Sequence, residues 1–115
     1  RGCDFLHASS GGVSPRQKIP VGPDFQVPFA ERLRAATGLP TIAVGLITEP
    51  AHAEAILVNR EADLVAFARS FLYNPRWAWA AAAELQGSVQ ATPAYWRCMP
   101  REAQHIFSTA KVGMR

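Results

Sequence analysis

With 115 residues, 49% apolar and 18% charged, the chain has the composition of a globular domain, which excludes a disordered or low-complexity segment. Its net charge of +3 comes from basic residues scattered along the sequence, a pattern of solvated surface rather than of a nucleic-acid partner. No apolar run approaches the roughly 18 residues of a membrane span. The 2 cysteines are far apart and form neither a disulfide framework nor a metal motif, so a reducing, cytoplasmic setting is expected.

The first residue is Arg1 and a strand follows almost at once, as expected of a piece cut from a longer chain; no signal peptide is read. Residues 3–9 read as that strand, with Cys3 as a small core residue, and Ser10-Gly11-Gly12 ends it. His7 is read as a core or barrel-lining histidine with one hydrogen bond, the alternative being a ligand or base. Residues 12–26 form a long loop carrying Pro15, Pro20, Gly22 and Pro23. A loop of that length is uncommon in a compact domain, and a lid, a subunit contact or a tolerated insertion would each account for it.

Residues 27–38 predict a helix: Pro28 suits its first turn, Phe29 and Leu33 share a face, and Gly38 stops it. Residues 40–46 read as a buried strand ending in Val44-Gly45-Leu46, where Gly45 would let the backbone approach a ligand closely. Thr48 is the expected N-cap of a helix over residues 49–58, with Ala55 and Ile56 facing inward and His52 on the surface. Residues 64–68 are continuously apolar, as a parallel strand covered on both faces must be.

Arg69 ends that strand one residue before a predicted helical turn over residues 70–73. A guanidinium beside unpartnered helix N–H groups suits a phosphate monoester, and in α/β barrels the loops after the last two strands form the recurrent phosphate site. A second helix is predicted over residues 75–85, in which Trp77 and Trp79 would cover a core or stack a ring. Residues 93–97 would dock across a surface, and residues 101–111 read as a weak, frayed terminal helix. Strands alternating with helices imply crossover connections and a parallel sheet, hence an α/β fold. No dinucleotide fingerprint, phosphate-cradling loop or metal cluster is present, and no His stands at a useful spacing from Asp4, Asp24 or Asp63.

Five segments carry a resemblance. They are Ser9-Ser10-Gly11, Phe25-Gln26-Val27-Pro28-Phe29-Ala30-Glu31, Thr41-Ile42-Ala43-Val44-Gly45-Leu46-Ile47-Thr48, residues 62–65 continuing to Ala68-Arg69, and Asn74-Pro75-Arg76-Trp77. In this order they resemble the Old Yellow Enzymes, the NADH:flavin oxidoreductases, and most of all their thermophilic-like bacterial subclass. The resemblance implies an FMN-dependent (β/α)8 TIM barrel that reduces activated alkenes with NADPH or NADH. A full barrel takes about 250 residues. This chain would supply its C-terminal part, strands six to eight with their helices, over residues 1–92. Residues 93–115 would be a tail.

By the same resemblance, Gly45, Leu46, Ala68 and Arg69 hold the flavin phosphate, and Ser9, Ser10 and Gly11 belong to a loop at the same rim. Ala68 stands where many members have Gly, but a backbone N–H needs no particular side chain. The family's proton-donating Tyr, its substrate-binding His pair or His-Asn pair and its flavin-tuning residues would all lie upstream. Tyr73, Tyr95, His7 and Cys3 do not match them, so the chain carries no catalytic residue and no metal ligand and is expected to be inactive alone. Members of the subclass place a C-terminal Arg or aromatic into a neighbouring subunit, which implies a homo-oligomer with Arg97 or Arg101 in that role. The alternatives are another phosphate-binding or flavin-dependent barrel dehydrogenase, and a non-catalytic half-barrel that binds a partner.

Overall fold

The computed structural model describes residues 2–107, which divide into two compact units between Ser70 and Phe71. In the first unit β1 (Leu6–Ala8), β2 (Thr41–Val44) and β3 (Leu64–Ala66) form a three-stranded sheet in the order β1-β2-β3. Both pairings are parallel, with Leu6 opposite Thr41 and Val44 opposite Ala66. The helices α1 (Val27–Thr37) and α2 (Pro50–Val58) connect the strands. α1 packs on β1 and β2, and α2 packs on β3. The sequence therefore yields the expected βαβαβ order and parallel sheet, with strands shorter than the apolar runs suggested.

The inward faces are set by small residues. Ala8 and Ala43 on the sheet and Val27 and Ala30 of α1, which packs on β1 and β2, are all buried. On α2 the buried positions are Pro50, Ala53 and Ile56, a three-residue spacing that turns Ala55 outward, contrary to expectation. Phe29 and Leu33 likewise share a face of α1, but it is the neighbouring stripe: they are 43% and 37% exposed. The N-cap of α2 is Glu49, not Thr48, and its side chain makes no capping bond. The C-terminus of α1 is as read: Gly38 takes the left-handed conformation (φ 67°) and its N–H bonds the Arg34 carbonyl.

Two expectations of burial fail. Leu64 is 55% exposed, because β3 is paired on one side only among the described residues and its near end is uncovered. Cys3 is exposed ahead of β1 instead of packed in a core.

The amino ends of β2 and β3 are tied by Asp63. Its N–H donates to the Thr41 carbonyl at 3.0 Å, and the Thr41 N–H donates to its Oδ2 at 2.9 Å. Arg34 of α1 adds Nε bonds to both carboxylate oxygens, at 3.1 and 3.0 Å. Arg34 is thus an anchor of helix to sheet, where the sequence suggested a solvated cation.

The second unit begins within the single turn α3 (Arg69–Tyr73) and contains α4 (Trp77–Glu84) and two 3-10 turns, Pro93–Tyr95 and Arg101–Ile106. The second turn packs on α4. Trp79 meets Tyr95 and Phe107 edge-on, with ring centroids 5.6 and 5.3 Å away, and Arg76 lies 4.3 Å over its ring. Trp79 is therefore a packing residue. The segment read as a frayed helix is buried at Ala103, Ile106 and Phe107, and Val89 pairs with Phe107 in a parallel bridge. Residues 108–111 of that expectation lie outside the described residues.

Two predictions follow from this packing. The Arg34 side-chain bond, then the Thr41 N–H, hold the Asp63 carboxyl below its ordinary value of 3.8. A carboxyl with a lowered folded value adds stability above its ordinary value and loses it as pH falls through the folded one. Asp63→Asn is expected to lower the melting temperature at pH 7, with the difference from the unaltered chain vanishing in acid, as thermal melts across pH will read. Ile106 is fully buried. Ile106→Ala is expected to cost about 2–5 kcal/mol, read as a shift of the urea midpoint by tryptophan fluorescence, since Trp77, Trp79 and Trp96 all lie in this unit.

Candidate functional site at the carboxyl edge of the sheet

The strands are parallel, so their carboxyl ends lie along one edge. β2 and β3 leave their last paired rung at Val44 and Ala66. Gly45 and Leu46 follow by one and two residues on β2, and Phe67 and Ala68 by one and two on β3. Neighbouring strands run about 4.8 Å apart, so the last rung, Val44 beside Ala66, sets Gly45-Leu46 and Phe67-Ala68 off from adjacent strand ends, with Arg69 next in the chain. All four phosphate candidates, Gly45, Leu46, Ala68 and Arg69, thus come to one edge.

Their conformations are unusual. Gly45 has φ 118° and Leu46 has φ 53°. The first belongs to glycine, and the second is a costly left-handed turn for a leucine. Such backbone persists only where the surroundings hold it, and it gathers at ligand sites. A Cβ on Gly45 would lie 2.6 Å from the Gln26 side-chain nitrogen and 2.8 Å from the Phe25 ring. The sequence suggested that Gly45 makes room for a ligand. In the structure its missing side chain makes room for Gln26 and Phe25.

Ala68 and Arg69 are exposed. Arg69 is the first residue of α3, not the residue before it, and α3 has only 5 residues. So short a helix adds little dipole, and the positive charge at this edge comes from the guanidinium itself. A guanidinium with neighbouring backbone N–H groups is the donor set that a phosphate monoester dianion takes.

Gln26 joins the loop after β1 to the end of β2. It is 5% exposed. Its Oε1 accepts the Ser10 N–H, and its Nε2 donates to the Val44 carbonyl at 3.2 Å. Ser10 thereby reaches the same edge as Gly45. Sequence reading gave Gln26 no role beyond its place in a motif. A signal was available: Gln is a poor N-cap, and one standing immediately before a helix has another use for its amide.

The other candidates fall elsewhere. His7 lies on β1 and is exposed, so it is not a core residue of the described sheet; the barrel-lining reading is untouched by this. His52 is half-buried, and its Nε2 lies 2.7 Å from the Asp24 carboxylate across a separation of 28 residues. This corrects the reading that no Asp pairs with a His; the pair fastens the end of the long loop, where Asp24 has φ 61°, to the first turn of α2. A cavity of about 630 Å³ in the second unit is lined by Arg76, Trp79, Tyr95, Met99 and Ala103 among others, and by none of the phosphate candidates. Among the described residues no group of His, Cys, Asp and Glu is placed to hold a metal, and no helix is long and apolar enough to cross a membrane.

Comparison with known proteins decides the family. The model of the NADH:flavin oxidoreductase / NADH oxidase family matches residues 6–87, from the start of β1 to just beyond α4. The chain belongs to this family. The family's fold is the (β/α)8 barrel; this chain has an α/β fold with a small parallel sheet. The chain is 48% identical over 97 residues to the NADPH dehydrogenase of Geobacillus thermodenitrificans (strain NG80-2), covering 84% of this chain and 28% of that protein. It is 50% identical over 97 residues to the NADPH dehydrogenase of Geobacillus sp. (strain WCH70), with the same coverage of 84% and 28%. To the NADPH dehydrogenase of Listeria monocytogenes serovar 1/2a (strain ATCC BAA-679 / EGD-e) it is 41% identical over 99 residues, covering 84% of this chain and 28% of that protein. The chain therefore spans little more than a quarter of the length of these relatives.

Gly45→Ala tests the packing at this edge. A side chain there meets both a forbidding φ and two close neighbours. The substitution is expected to destabilise the protein by about 1–3 kcal/mol, read from denaturant unfolding; an unchanged midpoint would show that the edge gives way without cost.

Proposed function

We propose that this chain is the part of an FMN-dependent NAD(P)H oxidoreductase that holds the flavin phosphate. It contributes strands six, seven and eight of the barrel with their helices. In this reading the Arg69 guanidinium and the N–H groups of Gly45, Leu46 and Ala68 bind the phosphate. The observation that carries the proposal is their juxtaposition. Two adjacent parallel strands end in step, one in a left-handed pair, the other in an exposed Ala-Arg.

The donor set fits a phosphate, and the family description names a flavin. FMN, when bound, supplies the hydride chemistry; the residues of this chain bind and orient it. The relatives are named NADPH dehydrogenases, which favours NADPH as the reductant. An activated alkene is the proposed acceptor of the hydride, with NADPH as its source through the flavin. Tyr95 is engaged with Trp79 and Arg76 of its own unit. Arg97 and Arg101, both exposed, are therefore the side chains proposed to meet a second subunit.

In the complete protein that contains this chain, Arg69→Ala is the direct test. A hydrogen bond to a charged group contributes roughly 1.5–3 kcal/mol, so FMN affinity is expected to fall about ten- to a hundredfold. Turnover at saturating FMN is expected to change little, because the phosphate is remote from the reacting ring. An unaltered FMN titration would remove Arg69 from the phosphate site.

A further inference from the structure

We propose that Gln26 is a positioning residue for the phosphate end of this site. It holds Gly45 and Leu46 in the positive-φ conformation at which their N–H groups are proposed to meet the phosphate. The inference rests on the reading that this edge binds the flavin phosphate, and adds to it a residue that does not touch the phosphate.

The physical case begins with the cost of the backbone. Gly45 at φ 118° and Leu46 at φ 53° are consecutive, so the chain makes an abrupt turn immediately after β2. Left to itself, Leu46 would favour the right-handed or extended regions. Something must over-determine the turn. Among the described residues, Gln26 is placed to do so. Its Nε2 donates to the carbonyl of Val44, the atom group directly preceding the Gly45 nitrogen, and so fixes the orientation of the Val44–Gly45 peptide plane. Its amide also fills the volume that a side chain on Gly45 would take. The Gly45 backbone is thus fixed by a hydrogen bond on one peptide and by contact at its own Cα.

The other end of the amide is anchored as well. Oε1 accepts the N–H of Ser10 in the loop after β1. Both polar ends of a nearly buried side chain are therefore satisfied, each by backbone at the carboxyl edge. A buried amide with one end unpaired would be costly, so the two bonds depend on each other. The Gln26 backbone sits at the N-cap of α1, yet its side chain makes no capping bond. The side chain is committed across the edge and not to its own helix. The consequence is a strap joining the ends of β1 and β2, made entirely of the chain's own groups.

The test uses the complete protein that contains this chain and two probes, FMN and riboflavin, which differ by the phosphate. Gln26→Met keeps the length of the side chain and removes both hydrogen bonds. The preference for FMN over riboflavin is expected to fall about tenfold in Gln26→Met, the equivalent of about 1.4 kcal/mol, while riboflavin affinity is retained. A residue that served stability alone would lower the melting temperature and leave that preference intact, and this result in a folded variant overturns the proposal. Arg69→Ala, measured alongside, separates the two levels. If Arg69→Ala loses the preference and Gln26→Met keeps it, the positioning role falls and the phosphate site stands; if neither changes it, both fall. A second measurement does not depend on the variant folding. In the unaltered protein without FMN, the Ser10 amide is expected to exchange with deuterium slowly, as it does with FMN bound. Fast exchange that FMN suppresses would show that the strap forms only with the ligand, and would also overturn the proposal.

Discussion

The carboxyl edge of the sheet depends on one buried amide. Parallel strands pair along their length but nothing in the ladder governs what the chain does after the last rung. Here the ends of β1 and β2 are joined by Gln26, whose two polar atoms bond backbone on either side. A neutral amide suits this task because it donates and accepts at once. A hydrophobic residue of the same size would fill the volume but leave the Val44 carbonyl and the Ser10 N–H without their present partner. The strained pair Gly45-Leu46 is tolerable because the bond to Val44 and the contact at Gly45 act on the same turn.

The opposite edge is organised differently. There Asp63 ties β2 to β3, its backbone N–H donating to the Thr41 carbonyl and its carboxylate accepting the Thr41 N–H, and it forms an ion pair with Arg34 of α1. One edge is held by a charged group in contact with water, the other by a buried neutral one. The division has a physical logic. A carboxylate at the carboxyl edge would repel the phosphate proposed to bind there, whereas at the amino edge it is free to anchor a helix. With the proposed phosphate site at the carboxyl edge, the two edges would separate stability from binding, a separation common in α/β barrels.

Much of the fold was legible in the chain. The alternation of apolar runs with helical patterns was enough for the βαβαβ order, and Gly38 marked the end of α1 where the structure has it. Gly45, Leu46, Ala68 and Arg69 were assigned by resemblance, and the parallel register explains why positions 22 to 24 residues apart come to one edge. Burial was legible less well. Apolar content could not distinguish the Phe29–Leu33 stripe of α1 from the Val27–Ala30 stripe that faces the sheet. The difference is a rotation of the helix, and packing chooses it. Likewise the apolar character of Leu64 reports what that strand can be covered by, not what covers it among the described residues.

By itself, the sequence determined the fold class, the family and the residue types able to meet a phosphate, because these rest on local pattern and on motifs whose order survives in a linear reading. Only the tertiary structure decided the pairings. Asp24 with His52, Arg34 with Asp63 and Gln26 with Ser10 and Val44 each cross 16 or more residues. No periodicity encodes such contacts. They arise when the crossover connections fold helices back onto the sheet, and the geometry of that return selects which polar groups meet.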